Sequence, residues 1–193
     1  VFIDYIGIQV GGVRLDSSPS LVPHHNVILD RGGDVYDRDT GPQGISQGGP
    51  AHHNLIPRTR QGGISVTSNN DYYNNEIYVD SCTTNSFGMG WYQDTNTEAY
   101  GNRIFGTGYL TVAMGAVSNN TGDIMIHDNF IHLLATRPDT RWGEYGAQSG
   151  EYCFRITSYG TSQRLYNIRF YDNVAVTYGR DGGMVRGTWF TSA

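Results

Sequence analysis

Two doubled histidines carry the clearest binding chemistry in this sequence. They occur 28 positions apart, in the runs His24-His25-Asn26 and His52-His53-Asn54. Neutral imidazole is the commonest metal ligand in proteins, and three or four such rings brought together suit Zn, Cu or Ni. The alternative is a corner of the fold at which the rings stack and bond to the backbone. We therefore predict either a transition-metal site or a structural corner at these four histidines.

Carboxylates and one arginine are the candidates for catalysis. Two Asp or Glu side chains about 5–10 Å apart across a groove can act as acid and base on a polysaccharide. Asp residues at turns have a competing explanation, because their side chains also bond to nearby backbone. The candidates are Asp94, Glu98, Arg141 and Glu144.

Aromatic residues next to these charges have the composition of a sugar-binding surface. Aromatic faces stack on sugar rings, while Arg and Asp bond to hydroxyls or uronates. The candidates are Trp91 and Tyr92 in residues 85–100, and Trp142 and Tyr145 in residues 136–151. Alternatively, the two tryptophans cover the core beneath a loop. We expect both segments to flank one lateral groove that contacts a glycan.

The sequence requires no cofactor. Asp34, Asp37 and Asp39 have a loose calcium-loop spacing, but they lack the residue order and closing Glu of an EF-hand. Ca²⁺ at these residues therefore stays an alternative to a solvated acidic loop. Cys82 and Cys153 either pair in one disulfide or remain free thiols.

The overall charge argues against nucleic acid as the partner. The chain has no lysine, and 13 basic residues face 18 acidic ones, for a net charge of −5. No apolar run approaches the roughly 20 residues that cross a bilayer. The 193 residues are enough for one core, so we expect residues 1–193 to form a single domain, as a segment of a longer chain.

A repeated unit predicts the elements that position these residues. An Asn or Asp is followed by an apolar-x-apolar triplet and a turn, with lead apolar residues at gaps of 28, 22, 27, 20 and 44. Short strands at such a period form the coils of a solenoid. Alternation then directs Ile124 and Ile126 inward and Met125 outward, and the corner asparagines can bond in ladders. The lead residues are Val27, Leu55, Ile77, Ile104, Ile124 and Ile168.

Two phrases of this repeat resemble a known family. Pro23-His24-His25-Asn26-Val27-Ile28-Leu29-Asp30-Arg31 and Asp128-Asn129-Phe130-Ile131 are similar to repeats of the right-handed parallel β-helix family. That superfamily includes pectate lyases, polygalacturonases, alginate lyases and epimerases, and phage tailspikes. The resemblance covers most of residues 20–190 and implies an all-β, right-handed parallel β-helix. We expect about eight coils of roughly 22–28 residues with loop insertions.

The resemblance implies a fold more specifically than a function. The polygalacturonase motifs N-T-D, D-D, G-H-G and R-I-K are missing, and the lyases' Lys base cannot exist in a chain without lysine. We therefore expect an extracellular, cell-surface or virion-surface protein that is structural or adhesive and contacts glycan. The alternatives are a polysaccharide lyase, glycoside hydrolase or epimerase, and a metal-binding solenoid. Apolar runs at residues 1–10 and 184–190 predict homo-oligomeric or end-to-end stacking.

Overall fold

The described structure is built from short strands. The computed structural model describes residues 13–14, 22–29, 43–46, 49–59, 62–79, 87–91, 94–106, 110–112, 120–133, 154–156 and 164–177. Within these ranges every regular element is a strand, and no helix is present that could cross a membrane. All strand pairs in these ranges are parallel, which confirms the predicted all-β class with parallel sheets.

Sheet 1 contains six of the described strands. In spatial order they are β1 (Val13–Arg14), β3 (Gln43–Ser46), β6 (Gly62–Ser65), β9 (Phe87–Trp91), β12 (Leu110–Val112) and β15 (Phe154–Ile156). Every residue of β6 and β9 is buried, so both faces of these two strands are covered.

Sheets 2 and 3 are likewise rows of parallel strands. Sheet 2 contains β4 (Ala51–His52), β7 (Asp71–Tyr73), β10 (Thr95–Tyr100), β13 (Thr121–His127) and β16 (Leu165–Tyr171). Sheet 3 contains β2 (Val27–Leu29), β5 (Leu55–Thr59), β8 (Glu76–Val79), β11 (Arg103–Gly106), β14 (Phe130–Leu133) and β17 (Val174–Thr177).

The chain visits the three sheets in rotation. From β3 onward, each strand pairs with the strand three places later in the chain, as β7 does with β10 and β10 with β13. Such cyclic pairing is what a solenoid of three strands per coil requires. The described topology is therefore consistent with a parallel β-helix.

The core is built by the predicted alternation along the strands. Ile77, Ile104, Ile124 and Ile126 are each 0% exposed, whereas Met125 between the last two is 37% exposed. Because side chains of a strand alternate between its faces, this confirms the predicted inward and outward positions. At the last described strand of sheet 2, Ile168 and Phe170 are partly buried and pack against the same core.

A two-residue corner separates sheet 2 from sheet 3. Its first residue has a positive φ, as at His53 (54°), Asn74 (54°) and Asp128 (52°), which favours residues that tolerate the left-handed region. Its second residue is an Asn, which is partly buried at Asn173 and buried at the other described corners. The left-handed position therefore directly precedes the ladder asparagine.

The buried asparagines form the predicted ladder. The Nδ2 of Asn75 donates to the Oδ1 of Asn102 at 3.0 Å, and the Nδ2 of Asn102 donates to the Oδ1 of Asn129 at 3.0 Å. Each side-chain amide thereby forms a hydrogen bond with the next, so the polar side chains at this corner lie in the interior with hydrogen-bond partners. The ladder consists of Asn26, Asn54, Asn75, Asn102, Asn129 and Asn173.

Several sequence predictions fall on other parts of the chain. The terminal runs 1–10 and 184–190, the acidic segment 34–39, and Cys82 and Cys153 lie outside the described residues.

Candidate functional site

Stacked rings run along the outside of the corner between sheets 2 and 3. Each ring belongs to the residue that ends a pass through sheet 2, and in-register pairing puts these residues directly above one another. Successive centroids are 5.1, 4.6, 5.0, 5.4 and 4.7 Å apart, with planes within 8° of parallel. This ring column consists of His24, His52, Tyr73, Tyr100, His127 and Tyr171.

The ring column presents edges to solvent. Because each ring face is covered by the next ring, the atoms left accessible are the ring edges, with their phenol oxygens and imidazole nitrogens. Tyr73 and Tyr100 are partly exposed and Tyr171 is 41% exposed. The tyrosine hydroxyls of the column can therefore form hydrogen bonds with a ligand, but the column cannot stack a sugar between its rings.

Two carboxylates lie beside the ring column on the outer face of sheet 2. Asp71 and Glu98 each precede a ring residue by two positions, and the two are paired in register across β7 and β10. Burial raises the pKa of Asp71, and the negative charge of Glu98 raises it further. The pair therefore places Asp71, a carboxyl group that loses its proton less readily, beside a second carboxyl group, that of Glu98.

His127 links this carboxylate pair to the ring column. Its Nε2 lies 2.7 Å from Oε1 of Glu98, and its Nδ1 lies 2.7 Å from Oδ2 of Asp128. Burial alone would lower the pKa of His127, but the hydrogen bonds to Asp128 and Glu98 outweigh burial and raise it. A charged imidazolium can donate to both carboxylates at once.

Two further outward residues continue this row along sheet 2. Met125 is in register with Glu98, and Arg169 is in register with Met125. Arg169 is exposed, and its Nε donates to the Oδ1 of Asn167 at 3.0 Å. We call the surface formed by these residues and the ring column the sheet-2 face; its row beside the column is Asp71, Glu98, Met125 and Arg169.

The predicted residues Trp91 and Asp94 lie inside the fold. Trp91 is 0% exposed, and its Nε1 donates to the Oγ1 of buried Thr97 at 2.8 Å. This burial matches the alternative that Trp91 covers the core, because both faces of β9 are covered and its indole is part of the core. Asp94 is also buried and accepts a hydrogen bond from the Oγ of Ser68 at 3.4 Å.

Of the sequence candidates for catalysis, Glu98 lies on the sheet-2 face. Arg141 and Glu144, together with the aromatic candidates Tyr92, Trp142 and Tyr145, lie outside the described residues. The groove expected between segments 85–100 and 136–151 stays a prediction for the same reason.

The four corner histidines form two short stacks. His24 lies over His52 with centroids 5.1 Å apart, and His25 lies over His53 at 4.9 Å. Burial lowers the pKa of His52, and the neighbouring His24, His53 and His25 lower it further. This matches the stacked-corner alternative, and the described part of the chain has no group of three or more His, Cys, Asp or Glu placed to hold a metal ion. Metal binding stays a prediction.

Sequence reasoning missed Asp71, His127 and the three tyrosines of the ring column. A signal for the column is present, because the residue two positions before each ladder asparagine is always His or Tyr. The doubled histidines drew attention to two coils, whereas the same position continues as Tyr73, Tyr100 and Tyr171.

Comparison with known proteins assigns no relationship to this chain. No family model, no curated protein and no solved structure matches it.

Proposed function

We propose that this chain belongs to an extracellular, right-handed parallel β-helix with a structural or adhesive role, which contacts glycan through the sheet-2 face. Right-handedness is the rule for crossovers between parallel strands of one sheet. About eight coils of 22–28 residues would place the strands described here within a continuous stack.

The observation that carries this proposal is the regular spacing of polar groups on the sheet-2 face. Parallel strands repeat at about 4.8 Å, so hydroxyls, imidazoles and carboxylates recur at that step along the solenoid axis. A chain of hydroxyl-bearing rings lying along this axis meets the edge of a Tyr or His ring at every coil. Since the ring faces already stack on one another, recognition rests on hydrogen bonds at ring edges.

The charge of the face selects the class of glycan. Asp71 is in register with Glu98, His127 lies between Glu98 and Asp128, and Arg169 is two strands beyond Glu98. Like charges in close contact are unfavourable, so a polyuronate is disfavoured at this end of the face. We propose a neutral or amino-sugar polymer as the ligand.

A glycan array with single-residue variants tests this function. Tyr100→Phe removes one edge hydroxyl and keeps the stacked ring, so it should weaken binding several-fold, as expected for one lost hydrogen bond. Tyr78→Phe is the matched control, because Tyr78 is an exposed tyrosine on sheet 3. Absence of binding to any glycan, or equal effects of both substitutions, would contradict the proposal.

A glycoside hydrolase is the second candidate, and the Asp71–Glu98 pair favours it. Adjacent strands hold these side chains about 4.8 Å apart at the backbone, near the 5–5.5 Å carboxyl separation of retaining glycosidases. Asp71, with its raised pKa, would protonate the glycosidic oxygen. Glu98, positioned by its hydrogen bond to His127, would attack the anomeric carbon before water releases the sugar.

Turnover separates the two candidates. Release of reducing ends from a panel of polysaccharides would support the enzyme, provided that Asp71→Asn and Glu98→Gln each abolish it. Binding without release of reducing ends would support the adhesive or structural role. The same two variants, measured for binding, show whether the carboxylates contact the glycan in either case.

A further inference from the structure

The outer face of sheet 3 is unlike that of sheet 2, because most of it is apolar. One outward row, in register from β2 to β17, runs through the six strands. Val27 and Val174 at its two ends are 53% and 54% exposed. The row consists of Val27, Leu55, Glu76, Arg103, Phe130 and Val174.

A second outward row makes the face aromatic. Tyr78, Phe105 and His132 are in register on β8, β11 and β14. Tyr78 stacks on Phe105 with centroids 4.8 Å apart, and Phe105 lies 5.9 Å from Phe130. An exposed apolar patch of this kind on a folded chain commonly marks an interaction surface.

An ion pair lies at the centre of the apolar face. The Nη1 of Arg103 is 3.4 Å from the Oε2 of Glu76, and the two side chains are 59% and 33% exposed. The Oη of Tyr78 donates to the other carboxylate oxygen of Glu76 at 2.6 Å. The guanidinium also lies over the ring of Phe105, at 5.4 Å from its centroid. Both charged groups are therefore held in fixed positions on the surface.

The first row is complementary to a second copy of itself that runs in the opposite direction. Read from either end, the row runs apolar, apolar, charged, charged, apolar, apolar, and the central charges are opposite. A two-fold axis lying between β8 and β11, parallel to the strands, places Glu76 against Arg103 of a second copy. The same axis places Leu55 against Phe130, Val27 against Val174, and Tyr78 against Phe105.

We propose that the outer face of sheet 3 binds a second copy of this chain, with the two solenoid axes antiparallel. A two-fold interface requires one patch to complement itself, which this row does. The parallel arrangement of the axes would instead oppose Glu76 to Glu76 and Arg103 to Arg103. Contacts between like charges cost several kcal/mol, so the charges select the antiparallel arrangement.

The size of the face determines the strength of the dimer. Six strands at about 4.8 Å span about 24 Å, and four residues of a strand span about 13 Å, giving roughly 300 Å² per copy. Stable interfaces bury about 800 Å² per partner. The dimer is therefore weak, with dissociation constants of roughly micromolar to millimolar order. It is independent of glycan contact, which uses the sheet-2 face.

Sedimentation velocity on the purified chain tests the dimer from about 1 µM to about 1 mM, a range that covers a weak interface. The mass should rise with concentration from the chain mass of 21.4 kDa towards twice that value. Arg103→Glu should raise the dissociation constant at least about tenfold, because it places like charges in contact. Arg169→Glu, the same change on the sheet-2 face, should leave association unaltered.

Mixing two variants separates charge complementarity from damage to the fold. Glu76→Arg and Arg103→Glu should each fail to self-associate, while an equimolar mixture should form a heterodimer at the wild-type concentration. Circular dichroism confirms that each variant is folded. A wild-type chain that stays monomeric at about 1 mM, a mixture that does not associate, or equal effects of Arg103→Glu and Arg169→Glu would overturn the proposal.

Discussion

At the scale of single residues, each buried asparagine of the corner is held in both directions along the ladder. Asn102 is 0% exposed, and its Nδ2 donates both to the backbone oxygen of Tyr72 at 2.8 Å and to Asn129. Its Oδ1 accepts from the backbone and side-chain nitrogens of Asn75 at 3.0 Å. The ladder thus supplies hydrogen bonds that the parallel strands cannot make at a sharp corner.

Asn102→Ala should destabilise the chain by about 2–4 kcal/mol, since it leaves buried donors of Asn75 and a buried acceptor of Tyr72 without partners. Urea unfolding measures this loss. Asn173→Ala is the matched control, because Asn173 is only partly buried and water can replace its bonds to Ile126 and Asn129. An equal loss for both substitutions would show that burial does not govern how much each ladder asparagine contributes to the free energy of unfolding.

At the scale of elements, a column of glycines lets sheet 1 approach the rest of the core. A Cβ at Gly63 would lie 2.4 Å from the backbone oxygen of Gly88 and 2.4 Å from Cγ2 of Ile77. Neighbouring coils repeat this arrangement, with Gly44 against Ile56 and Gly88 against Ile104. The isoleucines of sheet 3 therefore pack against the glycine backbone of sheet 1.

Gly63→Ala should lower the free energy of unfolding by about 1–3 kcal/mol, because the added methyl group meets the backbone of the next coil and overpacks the core. Gly90→Ala should cost less, since the nearest atoms to its Cβ are those of the Phe87 ring at 3.0 Å, which can shift. Thermal unfolding of both variants measures the difference. A larger loss at Gly90 would contradict the close contact between coils at Gly63.

At the scale of the whole molecule, the ring column responds to pH in opposite directions along its length. The pKa of His52 is lowered from 6.5 by burial and by its three neighbouring histidines. The pKa of His127 is raised from 6.5, because its bonds to Asp128 and Glu98 outweigh burial. Acid therefore loosens the column at His52 and strengthens it at His127.

The signs follow from proton linkage. The folded chain binds the proton of His52 less tightly than the unfolded chain does, so stability is lost as pH falls below 6.5. The stabilisation from His127 is present below 6.5 and is lost as pH rises through its raised pKa. An NMR titration should place the two midpoints on opposite sides of 6.5. Midpoints on the same side would refute this prediction.

Variants give the same test in terms of stability. His52→Gln should reduce the loss of stability between about pH 8 and about pH 5, because it removes an imidazole whose protonation is disfavoured in the folded chain. His127→Gln should destabilise more at about pH 5 than at about pH 8, since the imidazolium bonds are lost where they are strongest.

The sequence by itself determined the all-β class, several inward residues and the asparagine ladder. These depend on local rules: Ile124 and Ile126 alternate with Met125 along one strand, and the residue two positions after each ladder asparagine is apolar. Parallel pairing followed because short strands at this period can bury their apolar residues only by stacking.

The tertiary structure alone decided which side chains meet on the surface and which are covered. Glu98 faces Asp71 across 27 positions and Phe130 faces Val174 across 44. Such pairings depend on the number of residues in each connection, which is not constant along this chain, and a shift of one residue would move each side chain to the opposite face. Trp91 shows the same limit, because composition left both a surface and a core position open, whereas coverage of both faces of β9 makes it core.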